Sequence, residues 1–272
     1  MTELSALFPD GGNERTLTTR LPPGRLVWPK VAPGDPPAER PVYWLSDTPA
    51  SAELWSSLLE EHPTSGLWPL LLDPVNSTYA DPDRPWVVGE VDPGTVTDID
   101  EYDPAELMRA RWNGWVAADS EYDYKDLEPF RRTCPGLAES GELMDAPDAL
   151  ADWLAGMRED ERTRIGLVAA ARGADTLTVL GWCGPVNSGM KIAAMSAILR
   201  GWEDRFGVRV VRVGFDTLDL SVAAPPLTME HALRVAAEHF VFCPDNIQQG
   251  SGTLRRYAED ILHVNQWSFW WD

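Results

Sequence analysis

Histidine, cysteine and positive charge are scarce in this chain of 272 residues, which holds 4 His, 3 Cys and 23 Lys+Arg against 43 Asp+Glu. Cys134, Cys183 and Cys243 are too few and too scattered for a disulfide framework, and no C-x-x-C pair offers half of a zinc site. They read as reduced thiols, and neither a metal nor a cofactor is expected. No run approaches the roughly 18 apolar residues of a membrane span. The start, Met1-Thr2-Glu3-Leu4-Ser5, lacks the basic region and apolar core of a signal peptide. The expectation is a cytoplasmic protein without membrane contact. H-E-x-x-H and G-x-S-x-G are both missing, so no standard motif decides whether the chain is an enzyme.

The formal charge is -20, and its placement is uneven. Residues 73 to 128 carry 15 acidic and only 4 basic side chains, with Asp98, Asp100, Glu101 and Asp103 at the centre. A field of this sign repels phosphate backbones, which excludes a basic nucleic-acid face. It would steer a basic partner, or simply keep the protein soluble. The run from Asp98 to Asp103 superficially suggests calcium, yet it has neither the loop glycine nor the distal Glu of an EF-hand.

Proline and glycine crowd the first 40 residues, which predicts an irregular, wrapping N-terminus. Beyond it, residues 41–45 read as a strand, 51–61 as a helix with Leu54, Trp55, Leu58 and Leu59 in phase, and 67–72 as a second strand. Residues 86–91 suggest another strand and 104–115 a helix that opens on Pro104. A Pro/Gly-marked connector at 129–145 separates two regions, 1–145 and 146–272. In the second, Asp145 is expected to cap a helix whose Leu150, Trp153, Leu154 and Met157 form the apolar stripe. Strand 164–170 and helix 192–206 follow, then a hairpin over 208–222, with Leu218, Leu220 and Val222 alternating with Asp219 and Ser221. Thr228 caps the next helix, another starts near Thr253, and Trp267 to Trp271 form a last strand. This order gives an α+β fold: a ferredoxin-like or related split βαβ sandwich at the C-terminus, with an additional N-terminal α/β region.

The C-terminal stretch also resembles a bacterial family known as domain of unknown function 4253. The residues that carry the likeness include Leu180-Gly181-Trp182, Asn187, Leu199-Arg200, the run from Trp202 to Gly207, and Asp216-Thr217-Leu218. They continue through Pro225-Pro226 with Thr228, Ala236 to Phe240, Phe242-Cys243-Pro244-Asp245-Asn246, Gln249-Gly250, and the closing Trp267 to Asp272. Upstream, Glu53-Leu54-Trp55, His62-Pro63 and Gly66 to Leu70 resemble the leader of longer members. The resemblance implies a bacterial cytosolic protein and no particular chemistry.

Three local patterns are candidates for chemistry. His239 and Cys243 stand four apart on a predicted helix, beside Asp245, Asn246 and Gln249, and this cluster is the candidate ligand site. Its structural alternative is a buried cysteine followed by a turn, because Pro244 puts the thiol at a helix C-terminus, where the dipole disfavours a thiolate. Ser188-Gly189-Met190-Lys191 matches S-x-x-K without the companion K-T-G, so Ser188 or Asn187 reads as an N-cap. Gln248 to Thr253, with Arg255 and Arg256, could present N–H groups to an anion, but it matches neither a P-loop nor G-x-G-x-x-G.

The 13 tryptophans outnumber Phe and Tyr taken separately. Trp153 and Trp202 are expected in the core, whereas Trp270 should face away from Trp267, Phe269 and Trp271. Together these features point to a partner-binding protein of the immunity or antidote kind. Asp98, Asp100, Glu101, Asp103 and Trp270 would meet a basic protein. The alternative is an enzyme or small-ligand binder with its pocket near Cys243, Asp245 and Asn246. The oligomeric state stays open.

Overall fold

The computed structural model describes residues 4–12, 15–75, 80–116, 123–158 and 160–272. Its first half comprises β1 (Gly24–Val27), β2 (Tyr43–Pro49), α1 (Ala52–Ser65), β3 (Leu67–Leu72), α2 (Val96–Asp100), α3 (Pro104–Trp115) and α4 (Pro147–Met157). Then come β4 (Arg164–Ala169), α5 (Thr176–Leu180), α6 (Ile192–Phe206), β5 (Arg209–Val213), β6 (Thr217–Ser221), α7 (Met229–Phe242), α8 (Leu254–Ile261) and β7 (Gln266–Trp270). Short polar side chains start many of the helices. Ser51, Asp103, Thr228 and Thr253 each accept a backbone N–H of the first turn, and Gly66, Gly181 and Gly207 end α1, α5 and α6 in the left-handed conformation.

The seven strands among the described residues join one sheet in the order β1-β2-β4-β3-β5-β6-β7. β4 is antiparallel to both β2 and β3, so β2 and β3 run parallel with β4 inserted between them and α1 as the crossover. A split βαβ therefore forms, though from strands of the first region around one from the second. The α+β class is as expected; the ferredoxin-like strand order is not. β7 pairs with β6 rather than with β4, and β3 separates β4 from β5. The physical reason is β3 itself: Leu67 to Leu72 are buried at every position, as only a central strand can be. Pro69 supplies no N–H there. The ladder to β5 is confined to Leu71–Arg212 and Leu72–Val213, and the Trp68 indole donates to Val210 O instead. A boundary at residue 145 thus divides the sequence but not the sheet.

Helices cover both faces. Trp267 and Phe269 of β7 meet Trp202 of α6, and His239 and Phe242 of α7 also pack on this strand. On the opposite face Ser268 donates to Asp219 at 2.5 Å, and Asp219 also pairs with Arg212 and with Arg158 at the end of α4. The alternation read in β6 therefore holds, with Asp219 buried by ion pairs rather than facing water.

Four local expectations are corrected. Residues 86–91 form no strand, 86–89 being turn: Val87 N bonds Asp83 O and Glu90 N bonds Pro85 O, so the backbone is satisfied locally, and Gly89 has φ 67°. The cap of α4 is Ala146, which gives no side-chain bond, because Pro147 already holds the first helical position. Its buried stripe is Ala151, Leu154 and Ala155, which leaves Trp153 exposed. Finally, α6 starts at Lys191 rather than at Asn187 or Ser188, since Gly189 turns left-handed between them and the Ser188 hydroxyl accepts Met190 N. In the wrapping N-terminus the structure adds one strand, β1, at an edge of the sheet.

Candidate functional site

Pro244 ends α7, and the chain turns back across the open edge of β7. Along that edge the outward backbone groups belong to Ser268, Trp270 and Asp272. The Asn246 amide donates to Ser268 O at 2.7 Å and accepts Trp270 N at 3.3 Å; the Cys243 thiol donates to Trp270 O at 3.0 Å; Asp245 accepts Asp272 N at 3.3 Å. Three side chains thus stand in for an eighth strand and close an edge that would otherwise pair with another chain. Gln249, exposed, steadies Asp245 through a 3.1 Å bond.

Behind the clasp lies a buried polar chain. Asn246 donates its second amide hydrogen to Tyr257 Oη, 3.1 Å away. That hydroxyl also hydrogen-bonds Nδ1 of His239 at 3.0 Å. Nε2 has no polar partner among the described residues and is ringed by Trp202, Trp267 and Phe269. Burial, aided by Arg205, holds the His239 pKa well below the ordinary value, and burial pushes the Cys243 thiol up to about 12. A protonated thiol and a neutral, sealed imidazole suit packing rather than nucleophilic chemistry.

The unfolded imidazole titrates near 6.5 while the folded one stays neutral at lower pH, so the unfolded state binds more protons below 6.5. The stability linked to His239 is complete above that pH and is lost as pH falls, at up to about 1.4 kcal/mol per pH unit. Urea midpoints at pH 7 and pH 5 should separate more for the wild type than for His239→Gln. Equal separations would assign the slope to carboxylates instead.

The acidic candidates are dispersed in role. Asp98 forms a capping box with Thr95 at α2, Asp103 caps α3, and Asp100 pairs with Arg200 at 2.6 Å. Glu101 is exposed, and Trp270 is 37 % exposed on the outer face of β7. Residues 76–79 and 117–122 of the acidic stretch lie outside the described residues.

A cleft of about 620 Å³ opens elsewhere, where the α5–α6 loop, the β5–β6 turn and the end of β7 face the segment 84–92. Its apolar wall is Trp182, Phe215 and Trp271; the two indoles meet edge to face at 5.2 Å, and Trp182 Nε1 donates to Gly214 O at 2.9 Å. Gly181, at φ 72°, lets the Asp92–Pro93 backbone approach so closely that a Cβ would lie 2.2 Å from Asp92 C. Lys30, Arg84, Glu90, Asp92, Asp216 and Asp272 supply the charges. Cys183 sits at the rim, its thiol pKa raised by burial and by Asp92. Reading motifs for catalysis missed this cleft, because its residues come from five separate stretches. The available signal was the likeness itself, since Trp182, Asn187, Asp216, Trp271 and Asp272 all belong to it and all line the cleft.

Comparison with known families supports that likeness. Residues 164–272 match the family described as Domain of unknown function (DUF4253). The DUF4253 segment runs from β4 to the end of the chain, so it includes both the clasp and its target strand. It contains four of the seven strands; the remaining three, with β3 in the interior of the sheet, come from the residues before it. No curated protein and no solved structure matches the chain.

Proposed function

We propose that this protein binds a basic protein partner, in the manner of immunity or antidote proteins, through α4 and the segment leading into it. One observation carries the reading. Leu143 (60 %), Met144 (59 %), Trp153 (52 %) and Met157 (65 %) are all more than half exposed within fifteen residues. Trp153 and Met157 share a helix face, and Leu143 and Pro147 both lie against Gly207 at the start of α4. Soluble proteins seldom leave so much apolar surface uncovered unless it binds something.

The charge around it names the partner's sign. From Thr133 to Met157 there are five carboxylates and no Lys or Arg. Asp148 is taken by Arg209, while Glu142 and Asp145 are exposed beside the apolar side chains. Apolar contact would supply affinity and the carboxylates would speed and orient encounter. The three free thiols suit a reducing, cytoplasmic setting. No described helix is long and apolar enough to cross a membrane.

Affinity capture from lysate of the source cells, with wild type and the Trp153→Ser/Met157→Ser double variant side by side, tests this. A basic protein should be retained at about 50 mM salt, weakened at about 500 mM, where the screening length falls to a few ångströms, and at least tenfold depleted with the variant. Retention unaffected by the substitutions, or no retained protein at low salt, would remove the reading.

A further inference from the structure

We infer that the cleft walled by Trp182, Phe215 and Trp271 is a binding site for an organic cation, an ammonium or guanidinium group on an apolar body. The inference is independent of the α4 surface. It starts from charge accounting inside the cavity. Arg84 bonds Glu90 at 2.6 Å and Lys30 reaches the same carboxylate at 3.5 Å, so both cations of the cleft are committed to one acid. Asp92, Asp216 and Asp272 line the same cavity and have no ion pair among the described residues. Three uncompensated carboxylates around a concave surface set a negative potential, concentrated by the low-dielectric aromatic wall.

The wall decides between kinds of cation. Among the described residues no three His, Cys, Asp or Glu side chains gather closely enough to hold a metal ion. Aromatic faces attract ammonium and guanidinium groups, and the cleft already hosts one: the Arg84 guanidinium lies 5.4 Å from the Phe215 centroid while Glu90 holds its charge. A ligand guanidinium or amine would repeat that arrangement against Asp216 and Asp272. The cavity, about 620 Å³, falls within the range of small-molecule sites.

The site is accessible without unfolding. Asp272 is exposed and Asp216 half-buried, and among the described residues no cation pairs with either carboxylate, so Asp216→Asn/Asp272→Asn should fold as the wild type does. Arg84 competes with the ligand for the same ring and the same sign of charge, and its removal should strengthen binding.

Isothermal titration with agmatine and with tryptamine, and with inorganic phosphate as the opposite charge, provides the test. Saturable binding of at least one amine is expected, weakened at least tenfold in Asp216→Asn/Asp272→Asn and unchanged in Glu259→Gln, which removes one exposed charge elsewhere. Arg84→Ala should tighten it severalfold, a gain that loss of structure would not produce. The inference is overturned if neither amine binds saturably up to about 10 mM, if the double variant binds as well as wild type, or if phosphate is preferred.

Discussion

Replacing Glu238 by alanine is expected to cost about 3–5 kcal/mol, the usual loss when one partner of a buried ion pair is removed. Glu238 is 3 % exposed on α7 and accepts four donors: Ala138 N at 2.7 Å, Trp202 Nε1 at 2.9 Å, and Arg205 Nη1 and Nη2 at 2.8 and 2.7 Å. Through them it ties α7 to α6 and to the connector before α4. Alanine leaves the Arg205 guanidinium largely buried without its counter-charge, and orphans an indole and a backbone N–H. At about 2–4 °C per kcal/mol for a chain of this size, the melting temperature should fall by roughly 10 °C. Glu238→Gln keeps one acceptor and should lose less. A loss under about 1 kcal/mol for the alanine variant would show that apolar packing alone joins the two helices.

Asn246→Ala should be the next most damaging change, at about 2–4 kcal/mol. Its amide uses both hydrogens, on Ser268 O and Tyr257 Oη, and its oxygen takes Trp270 N, so truncation leaves buried groups unsatisfied on three sides. Asn246→Asp is nearly isosteric yet should be no milder, because a carboxylate would face the Ser268 carbonyl in place of a donor. The change also reopens the edge of β7, so faster amide exchange at Trp270 and self-association at high concentration should accompany the lost stability. Denaturation, hydrogen exchange and sedimentation read these separately. A variant within about 0.5 kcal/mol of wild type, with unchanged exchange at Trp270, would mean that the side-chain clasp does not hold the edge.

The clasp shows how residues grouped by sequence spacing can be brought to one region and still serve packing. His239, Cys243, Asp245, Asn246 and Gln249 were singled out as polar groups at helical and turn spacing, and the structure does bring them to one region. Sequence spacing carries no information about depth, however. Cys243 and His239 are sealed by the aromatic side chains of β7, which shifts both toward their neutral forms, and Asn246 spends its hydrogen-bonding capacity on the β7 backbone and the Tyr257 hydroxyl. Trp153 failed in the opposite direction. Its i, i+3, i+4, i+7 set with Leu150, Leu154 and Met157 was a valid helical stripe, but Ala151, Leu154 and Ala155 form a second, and the smaller residues were the ones that allowed close approach to the sheet and α1.

Local chemistry was legible without coordinates. The spans of α1, α3, α6, α7, α8 and of β3 to β7 follow from caps, helix-ending glycines and apolar period, because each depends on neighbours within a turn or two of the chain. Charge placement and thiol number belong to the sequence alone. The strand order did not follow, since β3 and β5 meet only after 140 residues of intervening chain, and no local signal says which strand β4 will separate. Nor did the cleft, whose wall and carboxylates lie on five stretches brought together by that order. Local free-energy preferences set the elements; their arrangement, and with it every surface that can bind, was decided by how one buried central strand could be covered on both sides.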